Sequence, residues 1–112
     1  MRMNAVIISQ MVREEIPKTI KVDDNTSLSV KDTTVVVTEF DRKETPFITS
    51  EYEKGFSVGV KVLVERRQYA KNAVSVVKDH IGDFVYLPED ASIRDVMNAI
   101  NDLVRKISNP NA

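Results

Sequence analysis

The sequence has 112 residues, of which 42% are hydrophobic and 29% charged, with a net charge of −1 and no cysteine. This balance is typical of one globular domain, because a chain of this size can bury roughly two thirds of its unfolded surface in a single core. It excludes a disulfide framework, a thiolate nucleophile and a zinc ribbon, and it gives no overall attraction to nucleic acid or anionic membranes. We therefore expect one cytoplasmic α+β domain over residues 1–108, with a polar tail over residues 109–112.

Short segments rich in β-branched residues dominate the first half of the chain. Four of them are predicted strands: residues 4–9, 18–22, 26–30 and 33–40. Side chains that favour turns fill residues 23–25, so a hairpin is predicted over residues 19–30. Residues 47–52 are a further candidate strand. The clearest strand runs over residues 56–64, where apolar and polar side chains alternate.

The hydrophobic period changes after Val64. When residues 65–81 are placed at about 100° per residue, apolar side chains gather on one side and polar side chains on the other. This pattern predicts an amphipathic helix that ends at Gly82, where glycine favours a helix terminus. An extended segment is predicted over residues 83–88.

A second amphipathic helix is predicted over residues 92–107. Ser92 can cap its exposed amides, and Asp95 lies in the first turn, where negative charge complements the helix dipole. An apolar stripe at heptad spacing follows: Ile93, Val96, Met97, Ile100, Leu103, Val104 and Ile107. We expect this stripe to pack on the chain's own sheet. The alternative is an interface with a second copy or another protein, and it predicts that Ile100→Asp lowers the oligomer mass while the fold is retained.

Together these elements predict a mostly antiparallel sheet, built from the amino-terminal half, that packs against two carboxyl-terminal amphipathic helices. No segment approaches the ~20 apolar residues that cross a membrane.

Catalytic motifs find little support. Residues 55–59 match the G-x-S-x-G pattern of hydrolases, but they lead into a strand rather than a helix. The single histidine, His80, is expected on the apolar side of the first helix in a structural role, and a catalytic role would require a cleft around it. The paired carboxylates lack the spacing of a cation-binding loop, and the glycines form no phosphate loop. We expect no enzyme activity, cofactor, metal or small-molecule substrate.

Basic residues cluster between positions 61 and 78, with Glu65 as the single acid among them. On the predicted helix, Arg67, Lys71 and Lys78 would line up in a stripe that could contact phosphates, with Lys61 nearby. A solvent-exposed helix face is usually charged, however, and no aromatic residue interleaves this stripe. An acidic protein partner is a third interpretation of the same residues.

These features favour a non-catalytic interaction or assembly module that forms a homo-oligomer or binds another protein. A small, cysteine-free domain with a docking helix would suit a phage or microbial accessory protein. The alternative function is a small nucleic-acid-binding regulator that uses the basic face of the helix at 65–81.

Overall fold

The computed structural model describes residues 4–70 and 72–109 and, for residues 68–70, the backbone alone. It contains six elements in chain order: α1 (Ala5–Glu15), β1 (Thr19–Asp23), β2 (Thr26–Asp41), β3 (Lys54–Ala70), β4 (Ala73–Pro88) and α2 (Ile93–Ser108). The α+β class and the antiparallel sheet are confirmed. The predicted pair of carboxyl-terminal helices is wrong in part, because one of the two helices precedes the sheet.

The four strands lie side by side in chain order, and each pairs antiparallel with its neighbour in sequence. The predicted hairpin is confirmed, and in its turn the amide of Asn25 donates to Asp23 Oδ1 at 2.8 Å. The predicted segments 26–30 and 33–40 are parts of the single strand β2, which is bent by a bulge between Val30 and Asp32. Short connections of this kind favour antiparallel pairing.

Residues 5–9 form the start of helix α1, so the strand predicted over residues 4–9 is wrong. Asn4 caps the helix, since its side-chain oxygen accepts from the amide of Val6 at 2.7 Å. Ile8 and Val12, four residues apart, are both fully buried, and this spacing places them on one helix face. The helix ends before Pro17, which disfavours helical backbone in the preceding residue. The β-branched residues at the start of α1 indicated a strand because their run is too short to show the helical period.

The centre of β3 carries the core of the sheet. Val58, Val60, Val62 and Val64 alternate along the strand and are buried, as the sequence predicted. Side chains from α1 and α2 join the same hydrophobic cluster. Both helices therefore cover one face of the sheet.

The helix predicted over residues 65–81 is wrong, because residues 65–70 lie in β3 and residues 73–81 lie in β4. The two strands pair without interruption from Gly55↔Pro88 to Ala70↔Ala73. Valine is abundant here, and β-branched residues fit a pleated strand better than a helix. The extended segment predicted over residues 83–88 is confirmed as part of β4.

The strand predicted over residues 47–52 is also wrong, because this segment lies in the connection between β2 and β3. Its one buried polar residue is Ser50, whose hydroxyl accepts from the amide of Tyr52 at 3.0 Å.

Helix α2 is confirmed at its predicted position. The amide of Asp95 donates to Ser92 Oγ at 3.1 Å, and the amide of Ser92 donates to Asp95 Oδ2 at 3.1 Å. These reciprocal bonds form a capping box, which satisfies two otherwise unpaired groups at the helix start. Neither helix in the described ranges has the length and hydrophobicity needed to cross a membrane. Of the predicted polar tail, residues 110–112 lie outside the described residues.

Candidate interaction surfaces

The sheet has a second face that neither helix covers, and we call it the open face. Because side chains alternate along a strand, it carries the odd-numbered residues of β3, which point away from the buried valines. The register places the even-numbered residues of β4 on the same face, as in the pairs Ser57↔Tyr86 and Gly59↔Phe84. On β2 the corresponding residues include Val36, which pairs with Gly59.

Three aromatic side chains meet on the open face, at the end remote from the β3–β4 turn. The ring centroids of Phe40 and Tyr86 are 5.3 Å apart, as are those of Phe84 and Tyr86, with interplanar angles of 72° and 79°. Such edge-to-face contacts stabilise an aromatic cluster beyond the area that it buries. Phe84 nevertheless remains 54% exposed, and Val36 beside it is exposed to a similar extent. The open face therefore presents an apolar patch to its surroundings.

The predicted basic residues also share the open face, although not as a helix stripe. Lys61, Arg67 and Lys78 are exposed and occupy register positions on this face, whereas Lys71 lies outside the described residues. Lys78 Nζ lies 3.6 Å from Glu65 Oε1, so its charge is partly neutralised. Neither Lys61 nor Arg67 forms an ion pair with a described residue. The face is therefore basic as well as apolar.

The β3–β4 hairpin extends beyond the rest of the sheet, and we call residues 66–77 the β-arm. Pairing between β2 and β3 ends at Ser29↔Glu65, so the β-arm has two strands only. Val74 and Val76, on the side continuous with the open face, are 59% and 49% exposed, and Val77 on the other side is also exposed. A hairpin without a third strand or a packing helix is marginally stable in water. The β-arm is thus a protruding element with uncovered apolar side chains.

The apolar stripe of α2 is divided between the core and the surface. Val96, Ile100, Leu103, Val104 and Ile107 are buried in the chain's own core. Ile93 and Met97, near the start of the helix, are 49% and 48% exposed. The buried members of the stripe therefore pack within the chain, as expected. Only the two exposed members are accessible to a partner. Since Ile100 is buried, Ile100→Asp would disrupt the core rather than test an interface.

The residues considered for catalysis lie apart from one another. His80 is exposed in the middle of β4, opposite Leu63, and not at a helix terminus as predicted. Ser57 lies within β3, and its hydroxyl donates to the carbonyl oxygen of Thr38 at 3.5 Å. The described part of the chain contains no group of three or more histidine and acidic side chains suited to a metal ion.

Two open cavities lie at the end of the sheet where β3 begins. Their volumes are about 730 and 750 Å³, and Lys54 and Glu89 line both. Lys54 Nζ is directed to Asp41, whose Oδ2 lies 3.7 Å away. In the second cavity a side-chain hydrogen bond with Glu51 raises the pKa of Tyr52. Neither cavity is lined by a serine, threonine or histidine, so neither lining contains a serine–histidine type of catalytic pair.

The sequence pattern does not predict the aromatic cluster or the β-arm. Phe40 is far in sequence from Phe84 and Tyr86, and only the pairing of β2, β3 and β4 brings them together. The available signal was the alternation within residues 82–88, which would have placed Phe84 and Tyr86 on one strand face. The β-arm gives no such signal, because apolar residues occur on both of its sides.

No protein-family model, curated protein or solved structure matches this chain. The surfaces described above are therefore the basis for inferring its function.

Proposed function

We propose that this protein is a non-catalytic assembly module that forms homo-oligomers through the β-arm. The observation that carries the proposal is the exposure of Val74, Val76 and Val77 on a two-stranded ribbon that no other described element supports. Uncovered apolar side chains that cluster on a protrusion are typical of protein contact sites. A partner that covers the ribbon would stabilise it, in the way that a third strand or a helix stabilises a hairpin.

The expected gain is a few kcal/mol for each copy, and it opposes the loss of translational and rotational freedom on association. Complete burial of a valine side chain contributes about 1.5 kcal/mol or more, so covering the exposed part of each β-arm valine contributes roughly 1 kcal/mol. In a symmetric dimer both copies contribute the same residues, which doubles the number of side chains covered. The two-fold arrangement therefore makes the fullest use of a short ribbon.

The test is the mass of the protein in solution as a function of concentration, measured by light scattering. We expect the wild type to exceed the 12.7 kDa of one chain as the concentration rises, and Val76→Asp to shift the protein toward that mass. Ile93→Asp is the matched control, because Ile93 is also 49% exposed but lies on α2. A wild type that keeps the mass of one chain at all concentrations would contradict the proposal.

A second candidate is nucleic-acid binding, and the charge of the β-arm favours it. Residues 66–78 contain four basic residues, at positions 66, 67, 71 and 78, and no acidic residue. A two-stranded ribbon fits the major groove of DNA, and phosphate contacts by lysine and arginine supply sequence-independent affinity. The partial neutralisation of Lys78 by Glu65 weakens this candidate relative to self-assembly.

Fluorescence anisotropy with labelled DNA duplexes and RNA strands at low salt tests this candidate. It predicts binding that weakens as salt rises. A triple variant with glutamine at Lys61, Arg67 and Lys78 should show a shallower salt dependence, by about one unit of log–log slope for each phosphate that the variant no longer neutralises. Lys43→Gln and Lys106→Gln, which change exposed lysines outside the open face and the β-arm, serve as controls. If no duplex or strand binds at low salt, the candidate is excluded.

A further inference from the structure

Strand β4 is the last strand of the sheet, so one of its two edges has no neighbouring strand and is free. Just beyond β4, the amide of Glu89 donates to the carbonyl oxygen of Lys54 at 3.2 Å, in line with the uninterrupted register of the two strands. In an antiparallel pair the hydrogen-bonded residues alternate, so the odd-numbered residues of β4 bond to β3. The even-numbered residues therefore direct their amides and carbonyl groups to the free edge.

Two of these outward amides are already satisfied within β4. The amide of His80 donates to Asp79 Oδ1 at 2.8 Å, and the amide of Phe84 donates to Asp83 Oδ1 at 2.8 Å. Each aspartate thus occupies the hydrogen-bonding position that another strand would need. Charged side chains along an edge strand are a common protection against edge-to-edge pairing.

The outward amides in and next to the β-arm lack this protection. Val74, Val76 and Lys78 follow Ala73, Ser75 and Val77 in the sequence, none of which carries a carboxylate. The valines between positions 74 and 77 are also exposed, so the unprotected part of the edge coincides with the apolar part. Protection therefore stops where β4 leaves the body of the sheet.

We propose that β4 pairs antiparallel with β4 of a second copy through residues 74–78, with Val76 on the two-fold axis. This inference rests on the proposed homo-oligomeric function and names the contact. In this register Val76 faces Val76 of the partner subunit, and Val74 faces the partner's Lys78. Each facing pair of even-numbered residues exchanges two hydrogen bonds, and the two sheets join into one.

Charge and hydrogen bonding favour this register over those shifted toward the carboxyl end of β4. Two-fold antiparallel pairing keeps both open faces on the same side of the joined sheet. Outward, even-numbered residues then pair only with even-numbered residues of the partner subunit, so the possible positions of the two-fold axis are one residue apart along β4. An axis at Val77 would need the amide of His80, which already donates to Asp79. An axis at Lys78 or Asp79 would place like charges opposite each other, which is destabilising. The axis at Val76 separates the two Lys78 side chains and uses the unprotected amides at 74, 76 and 78.

Because the β-arm is basic, the salt dependence of binding distinguishes self-association from nucleic-acid binding. Two β-arms carry like charges, and salt screens repulsion between exposed groups. Self-association through this edge should therefore strengthen as salt rises. Binding of nucleic acid would weaken under the same change.

The experiment compares Val76→Pro with His80→Pro. Proline removes the backbone amide, and at both positions that amide points away from β3, so the β3–β4 bonds remain in both variants. At Val76 the amide is used by the partner, whereas at His80 it donates only to Asp79. Light scattering at a fixed salt concentration gives the dissociation constant, and circular dichroism verifies that each variant is folded.

We expect Val76→Pro to raise the dissociation constant by about tenfold or more, since two symmetric hydrogen bonds are lost, and His80→Pro to leave it within about twofold. An oligomer of unchanged affinity in folded Val76→Pro would overturn the proposed contact and leave the assembly function standing. A wild type that never associates would overturn both. Assemblies that grow without a limiting mass would also overturn the contact, because they would indicate head-to-tail pairing of β4 with the part of β3 beyond Glu65, which β2 does not cover.

Hydrogen exchange of the unmodified protein provides a second measurement. The amides of Val74, Val76 and Lys78 should become protected as the concentration rises, in parallel with the mass. The amides of Ser75 and Val77, which bond to β3, should change much less. If the mass rises while the three even-numbered amides exchange at an unchanged rate, the edge contact is wrong.

Discussion

Gly55→Ala should destabilise the protein by about 3 kcal/mol, the upper end of the typical cost of forcing atoms into a closely packed site. An added Cβ at this position would lie 1.9 Å from the carbonyl oxygen of Leu87, which belongs to the backbone and cannot rotate away. The first pairs between β3 and β4 would have to separate. Thermal unfolding followed by circular dichroism should show a midpoint lower by about 10 °C or more.

Gly59→Ala is the matched control, because it makes the same chemical change on the same strand. An added Cβ there would meet its nearest neighbours, Val36 and Phe84, at ordinary contact distances of 3.8 and 3.9 Å. Alanine also restricts the unfolded chain more than glycine, so we expect a gain of up to about 1 kcal/mol. If both variants lost similar stability, close approach of the strands would not be the reason for glycine at position 55.

Ile100→Ala should cost about 2–5 kcal/mol, the range that applies to truncation of a buried aliphatic side chain. Ile100 is 1% exposed and belongs to the cluster that joins α2 to the sheet, so its truncation would leave a cavity between them. Chemical denaturation should show a lower midpoint with an unchanged slope, since the surface exposed on unfolding stays nearly the same.

Met97→Ala on the same helix provides the comparison. Met97 is 48% exposed and lies outside the buried cluster, so its truncation should change the free energy of unfolding by less than about 1 kcal/mol. Equal losses of stability for Ile100→Ala and Met97→Ala would contradict the burial of Ile100 and the exposure of Met97 in the structure.

Sequence patterns predicted those elements whose burial is one-sided. Helix α2 has one buried stripe and a capping box, and the centre of β3 has valines on one face only. In both cases a single period describes the burial. The structure therefore agrees with the sequence where local preference and tertiary packing favour the same element.

The β-arm could not be predicted in this way, because its side chains at positions 72–77 are exposed on both sides of the ribbon. Val76 and Val77 point to opposite sides and are both exposed, so strict alternation is absent. The turn between the strands also lacks the Asn-Gly or Asp-Gly pair that marks a tight hairpin. What defines the hairpin is its pairing along β3, a tertiary interaction that overrides the apparent helical period.

The candidate surfaces were harder still to predict. Lys61, Arg67 and Lys78 share a face of the sheet and not of a helix, and the aromatic cluster depends on the register between strands that are distant in sequence. The hydrogen bonds of Asp79 and Asp83 to the next amide have no sequence signature beyond the residue type. A free edge becomes recognisable only when the neighbouring strand is known.

The arrangement of the strands in chain order has a consequence for how this molecule folds. Every strand pairs with the one that follows it, so each step closes a short loop and loses little chain entropy. The longest connection between paired strands is residues 42–53, and no crossover is needed. Pairing can therefore begin beside each connection and extend outward, as from Ala70↔Ala73 to Gly55↔Pro88 in the β3–β4 hairpin. The packing of α1 against α2 is different, because it joins elements from opposite ends of the sequence.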